Sequence, residues 1–416
     1  MSVATTTDLL PALPLARGGG LRLAALFLSF LISGGMLLFP RVPILLLILL
    51  CCLLASGFRL VLSRQLFPPL VLVGLIILVT LLRPGPLHLE SLAIRLGNLF
   101  AALMLLNLYL SQPRNSLAAD LYWVLGWMAI QALLTVALAH TLSFLFLPLD
   151  VSGTTYQTFL LLLNYHVTIE DAGGLVRPDG FFFEPGVFQI YLNLYLYLAL
   201  FIYRNFWRSG LALAAVISTQ STTGLAICLL LLATFAIGEI RRSPLRRKLL
   251  LFIVAAVVVA PVALVGYSNL TQKIFGEFQG SSWARTYDLI TGLNVVAAHP
   301  WVGIGFDHER YKEEAARLGY AETQLNEEQA AERSTSNGNL LLLYSLGIPL
   351  SLPFLFGMFR QRFLPHRGLV GLLLLLGFMG EAIIMTPFFL LLILSGLSLS
   401  AASRTPPLSK GESTAR

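Results

Sequence analysis

Arg177-Pro178-Asp179-Gly180-Phe181-Phe182-Phe183-Glu184-Pro185-Gly186 brings two kinds of chemistry into one short run. A guanidinium binds a phosphate through two parallel hydrogen bonds. A carboxylate can take a proton from a hydroxyl as a general base. Pro185 suits the first turn of a helix, which sets Glu184 at a helix N-terminus, where the dipole favours negative charge. The three phenylalanines between them are expected to insert at a membrane interface. The same spacing is also met by a Glu184 that only caps its helix and an Arg177 that meets lipid phosphate.

A second group lies further along. Arg285 is followed by a helical stretch, 288–298, and then by His299-Pro300-Trp301-Val302-Gly303-Ile304-Gly305-Phe306. Leu289, Ile290, Leu293 and Val296 recur at helical spacing, as in a helix lying in the interface. Pro300 ends that helix. Gly303 and Gly305 permit a tight turn whose amides could hold an anion. Without a preceding strand or a βαβ unit this is not a dinucleotide fingerprint. Residues 307–333 read as a solvated helical pair, and Ser336-Asn337-Gly338-Asn339 opens the next apolar run. Arg95 and Glu381 sit inside apolar segments, where a charge needs a partner or water. They read either as a structural pair or as parts of a cavity wall, and His140 as a core histidine or part of that wall.

The rest of the chain says what must position these groups. Of 416 residues, 56% are hydrophobic and 12% are charged, against about 25% charged in a soluble domain. That excludes an ordinary cytoplasmic enzyme, a disordered chain and a nucleic-acid binder, despite a net charge of +7. Cys51, Cys52 and Cys228 lie in apolar runs and read as small hydrophobes; no metal or cofactor is expected. Arg17 and Arg22 precede a first apolar run without a small-residue cleavage site, which reads as a span rather than a signal peptide.

The fold class expected is all-α: a polytopic integral membrane protein and a single membrane domain over 1–416. Spans are expected at 23–39, 43–57, 67–82, 91–111, 121–147, 187–203, 249–267, 338–358, 368–384 and 388–402. The stretch 210–238 is broken by Ser218-Thr219-Gln220-Ser221-Thr222-Thr223-Gly224. Charge decides how it runs. With the N-terminus inside, Arg59, Arg64, Arg114, Arg204 and Arg208 fall inside. Only a turn back at the polar knot also returns Arg241, Arg242, Arg246, Arg247 and Lys248 to that side. The count becomes about twelve segments, one pair short or re-entrant, with both termini cytoplasmic. Two outer loops follow, 149–185 and 268–336, with a short cytoplasmic tail at 403–416. Arg95, Arg177, Glu184, Arg285 and Glu381 all fall toward the outer face.

These residues resemble the bacterial O-antigen ligase/polymerase superfamily of polytopic membrane glycosyltransferases. Arg285 with His299-Pro300-Trp301-Val302-Gly303-Ile304-Gly305 is similar to its "HPxxGxG" signature. Ser336-Asn337-Gly338-Asn339-Leu340 with Gly347-Ile348 is similar to its entry into a late span. Arg177 with Glu184-Pro185 resembles the segment of polymerase members, and Ser221-Thr222-Thr223-Gly224 a turn within a broken segment. Position 336 is Ser where ligases of the family carry a histidine, and position 222 is Thr where many members have Arg.

The resemblance implies a glycosyltransferase of the bacterial inner membrane, with its site facing the periplasm or cell exterior. It implies a polysaccharide polymerase that moves a glycan from undecaprenyl pyrophosphate to a hydroxyl of another lipid-linked repeat unit. Glu184, Arg177 and Arg285 would be catalytic. His299, Gly303, Gly305, Ser336, Asn337 and Arg95 would bind substrate. The expected partners are the undecaprenyl-pyrophosphate-linked oligosaccharide, membrane lipid and other polysaccharide-assembly proteins, with no nucleic acid. The alternatives are a ligase acting on lipid A core or a protein, a flippase or exporter of lipid-linked glycans, and a non-catalytic partner in an assembly complex.

Overall fold

Apolar segments of this length have no water for their backbone groups, so each must close its hydrogen bonds within a helix. The computed structural model describes residues 19–34, 40–58, 64–83, 89–151, 154–166, 176–275, 279–319, 333 and 335–399. Nine apolar helices come first: α1 (Gly19–Ile32), α2 (Arg41–Ala55), α3 (Phe67–Leu82), α4 (Leu89–Leu110), α5 (Ser116–Thr141), α6 (Pro185–Tyr197), α7 (Phe206–Ser218), α8 (Thr222–Arg242) and α9 (Leu245–Phe275). Two polar helices follow, α10 (Gln279–Ala298) and α11 (His308–Leu318). Three more apolar ones close the chain, α12 (Gly338–Arg360), α13 (Arg367–Phe378) and α14 (Pro387–Leu397). Among the described residues six helices are long and apolar enough to cross a membrane, and six shorter apolar ones accompany them. The tail at 403–416 and most of 320–334 lie outside the described residues.

The polar knot divides 210–238 as charge required, with α7 ending at Ser218 and α8 starting at Thr222. Two helices form the centre. Every residue of α6 is buried, and α14 is buried from Pro387 to Gly396. Phe182 stacks on Tyr191 of α6, and Tyr191 lies against Phe388 and Phe389 of α14. Outward, α2 exposes Val42, Leu46, Leu47, Leu50 and Leu54, and α3 exposes Phe67, Val71, Leu75, Leu78 and Leu81. Contiguous apolar exposure of this kind marks a lipid-facing surface. At one end of the bundle Arg362 stands among Arg114, Arg360 and Arg367. Tyr197 there donates to Pro365 O.

Several expectations need correction. The chain is mostly helical but not all-α, because the first expected outer loop, 149–185, folds in part into strands. It carries β1 (Leu147–Val151), β2 (Thr154–Phe159) and β3 (Leu163–His166), an antiparallel sheet in the order β1-β2-β3. The span expected at 121–147 therefore stops at Thr141. Not all three phenylalanines are free to enter an interface: Phe182 is buried and Phe181 meets Phe27 edge-on, while Phe183 is exposed on the cavity wall. His140 is exposed and turned to its own helix, Nδ1 at 2.8 Å from Val136 O. α13 ends at Phe378, so Glu381 lies in the turn before α14 rather than within a helix. On α10, Leu289, Ile290 and Leu293 do face outward.

Candidate active site

The sheet fixes the Arg177–Glu184 segment. Tyr165 of β3 bridges Pro178, Asn164 accepts the Asp179 amide at 2.9 Å, and its Nδ2 donates to Gly180 O at 2.8 Å. Tyr156 of β2 donates to Phe183 O at 2.9 Å. Asp179 is fully buried, 2.9 Å from His166 Nδ1. Burial pushes its carboxyl up to about 6, with His166 and Arg177 opposing and Glu184 adding to the rise. Glu184 is the residue before α6, with extended backbone, and Pro185 is the first helical residue.

Glu184 does not stand alone. A Cβ on Gly186 would collide with Glu381 Oε1 and lie 3.5 Å from Glu184 Oε1. The missing side chain at 186 thus makes room for two carboxyl groups side by side. Glu381 is buried, and burial with the neighbouring Glu184 charge drives its carboxyl well above the usual range, while Arg285 opposes. Two carboxyls this close share a proton more readily than they both ionise.

Arg177 and Arg285 converge on the polar knot. Arg177 Nε donates to Thr219 O at 3.1 Å, at the C-terminal end of α7, where the dipole favours a cation. Arg285 Nη1 donates to Thr223 Oγ1 at 3.3 Å in the first turn of α8, and its side chain remains exposed. The knot is held from α6, where Asn193 Nδ2 donates to Gly224 O at 3.0 Å.

A cavity of about 860 Å³ opens beside the carboxyl pair. Its wall includes Arg41, Glu90, Arg95, Asn98, Glu184, His308, Arg333, Ser336 and Glu381. The Arg95–Glu381 ion pair is not formed among the described residues; Arg95 lies instead over the Phe306 ring, 5.6 Å from its centroid. Ser336 Oγ donates to Asp288 Oδ2 at 2.5 Å, and Arg333 grips the same carboxylate at 2.8 and 3.1 Å. Asn337 caps α12, accepting from Asn339 N and Leu340 N. Burial and Lys312 hold the His308 imidazole below its ordinary value, so it is neutral at pH 7.

The glycine turn does not present free amides. Gly303 N donates to His299 O at 3.2 Å, Ile304 N to Tyr344 O at 2.7 Å and Gly305 N to Ser345 O at 3.0 Å. The anion nest expected of this turn is therefore not formed; its amides lock it to the kink of α12. Gly303 and Gly347 both have positive φ, and a Cβ on Gly303 would stand 2.5 Å from Tyr344 O. The turn positions Phe306 and His308 on the cavity wall. His299 is not among the residues lining the cavity; its Nε2 lies 3.0 Å from Glu314 Oε2.

The sequence pointed to Glu184, Arg95, Glu381 and Ser336, which line this wall, and to Arg177 and Arg285, which the fold places beside the knot. It missed Arg41, Glu90, Asn98, His308 and Arg333, which no local motif marks. Among the described residues no group of three or more His, Cys, Asp or Glu side chains is placed to hold a metal ion.

Residues 209–355 match the family model described as O-antigen ligase. The chain is similar to the O-antigen ligase family over this segment, about a third of its length. No curated protein and no solved structure matches it. The ligase-like segment contains the polar knot, Arg285, the glycine turn and Ser336. Arg41, Arg95, Arg177, Glu184 and Glu381 lie outside it and meet it only in the folded protein.

Proposed function

We propose that this chain is a polysaccharide polymerase of the bacterial inner membrane. It transfers a glycan from undecaprenyl pyrophosphate to the hydroxyl of another lipid-linked repeat unit on the outer face. The observation that carries this reading is the Glu184–Glu381 carboxyl pair, open to an oligosaccharide-sized cavity on one side and to Arg285 on the other.

In this reading Arg285 and Arg177 hold the donor pyrophosphate beside the first turn of α8. There the guanidiniums and the helix dipole stabilise the charge that grows as it leaves. Glu184 takes the proton from the acceptor hydroxyl while its oxygen bonds to the sugar carbon and the carbon–phosphate oxygen bond breaks. Attack opposite the leaving group inverts that carbon. Glu381, protonated, holds Glu184 in place and keeps negative charge from doubling next to it. The lipid pyrophosphate is already an activated leaving group, and positioning supplies much of the rate.

The family model's description favours a ligase. Against it stands Ser336, tied to Asp288 where the family's ligases carry a histidine. The two readings separate in one assay on the protein reconstituted in lipid. The host's undecaprenyl-pyrophosphate repeat unit alone should yield a ladder of longer lipid-linked chains. Transfer only after lipid A core is added would establish the ligase instead, and no transfer in either case would reject both.

A further inference from the structure

The cavity carries a second pair of guanidinium groups that the mechanism above does not use. Arg41 is the first residue of α2 and is exposed; Arg95 lies further in, on the α4 wall. They are close enough to repel each other. Four arginines of the described residues sit against carboxylates: Arg22 with Asp120, Arg204 with Glu239, Arg317 with Glu314 and Arg333 with Asp288. Neither Arg41 nor Arg95 has an ion pair among the described residues. Two like charges lining one partly enclosed space repel each other, and an anion held between them offsets that repulsion.

The surroundings say how that anion arrives. Val42, Leu46 and Leu50 next to Arg41 are exposed apolar residues on the lipid-facing side of α2. A head group on a polyprenyl tail can therefore reach Arg41 from the bilayer while its tail stays in lipid. The same cavity is also lined by Glu184, the base for the acceptor hydroxyl. Arg177 and Arg285 are not part of the cavity wall. Glu381 belongs to both neighbourhoods, so the carboxyl pair stands between two separate guanidinium pairs.

We propose that Arg41 and Arg95 form a second anion subsite, which takes the pyrophosphate of the lipid-linked acceptor while Arg177 and Arg285 take that of the donor. The proposal rests on the transferase reading and gives the acceptor a class: a saccharide on a lipid pyrophosphate, its far end at Glu184. The guanidiniums bind the pyrophosphate oxygens in forked fashion, and no bond of the acceptor pyrophosphate breaks.

The test uses the full chain in lipid and a donor repeat unit on undecaprenyl pyrophosphate whose own acceptor hydroxyl is methylated. Two labelled acceptors carry the same repeat unit, one on a polyprenyl pyrophosphate and one on a neutral alkyl glycoside. The wild type should prefer the pyrophosphate acceptor by about tenfold or more in kcat/KM, a charge-assisted hydrogen bond's worth. In Arg41→Gln and Arg95→Gln that ratio should fall toward one. Arg41 is exposed, so its variant reads the subsite without disturbing the core. A ratio that keeps its wild-type value while both rates fall would overturn the subsite, as would a wild type with no preference. A wild type that transfers to neither acceptor overturns the transferase reading, and the subsite with it.

Discussion

Gly186 shows how tightly the site is built at the scale of single residues. Its missing side chain is the space into which Glu381 reaches toward Glu184. A displacement of about 1 Å at a reacting group costs on the order of a hundredfold in rate. Gly186→Ala should therefore lose about that much transfer with protein still present in the membrane; a wild-type rate would show that the carboxyl pair needs no close approach. Arg285→Lys should also be damaging, because a point charge does not replace a fork against pyrophosphate. Asp179 gives a pH signature. Its folded carboxyl titrates near 6, above the ordinary value near 3.9. The neutral form is the one folding favours, so its contribution is full below about pH 4 and is lost as pH rises through 6, by about 3 kcal/mol at most. Hydrogen exchange at 154–166 and 176–184 should grow faster across that window than the chemical rate alone requires. Asp179→Asn should flatten the excess, and a wild type without it would refute the assignment.

At the scale of elements, the glycine turn and the kinked helix α12 act as one piece. Positive φ at Gly303 and Gly347 and three backbone hydrogen bonds fix the wall that bears Phe306 and His308. Gly303→Ala meets Tyr344 O and a strained φ together, a cost of roughly 2 kcal/mol or more. It should lower the melting temperature and slow transfer; an unchanged melting curve would mean that the turn is free to move. The helices themselves were legible because a twenty-residue apolar run has no other way to satisfy its backbone. The split at Ser218–Gly224 was legible because only a turn there keeps Arg241 and Lys248 on the basic side. The sheet was not read, although Thr154-Thr155-Tyr156-Gln157-Thr158-Phe159 carries its signal, a β-branched and aromatic run with Tyr156 and Thr158 buried in alternation. Beside an apolar span, Leu147 passed for its end, and Leu149 for the start of the outer loop. Arg41, Glu90 and His308 stayed hidden for another reason: each is an ordinary residue locally, and only helix packing brings it to the wall.

For the whole molecule, the bundle separates its charges. Arg114, Arg360, Arg362 and Arg367 gather at one end, while the cavity is lined by Gly34 after α1, Arg41 and Glu90 in the first turns of α2 and α4, Glu184 before α6, Asp307 after the glycine turn and Glu381 before α14. By the positive-inside rule we propose an orientation with the cluster inside and the cavity outside. In intact cells a membrane-impermeant maleimide should label Trp301→Cys and spare Arg114→Cys; the reverse pattern would turn the molecule over and place the cavity in the cytoplasm. The central claim is that Glu184, held by Glu381 at the cavity wall, takes the proton from the acceptor hydroxyl. The most direct measurement compares wild type and Glu184→Gln, reconstituted in lipid at equal protein, on the lipid-linked repeat unit. A ladder in the wild type and none in the variant is the result predicted here. A near-normal ladder from Glu184→Gln would contradict it and remove Glu184 from the chemistry.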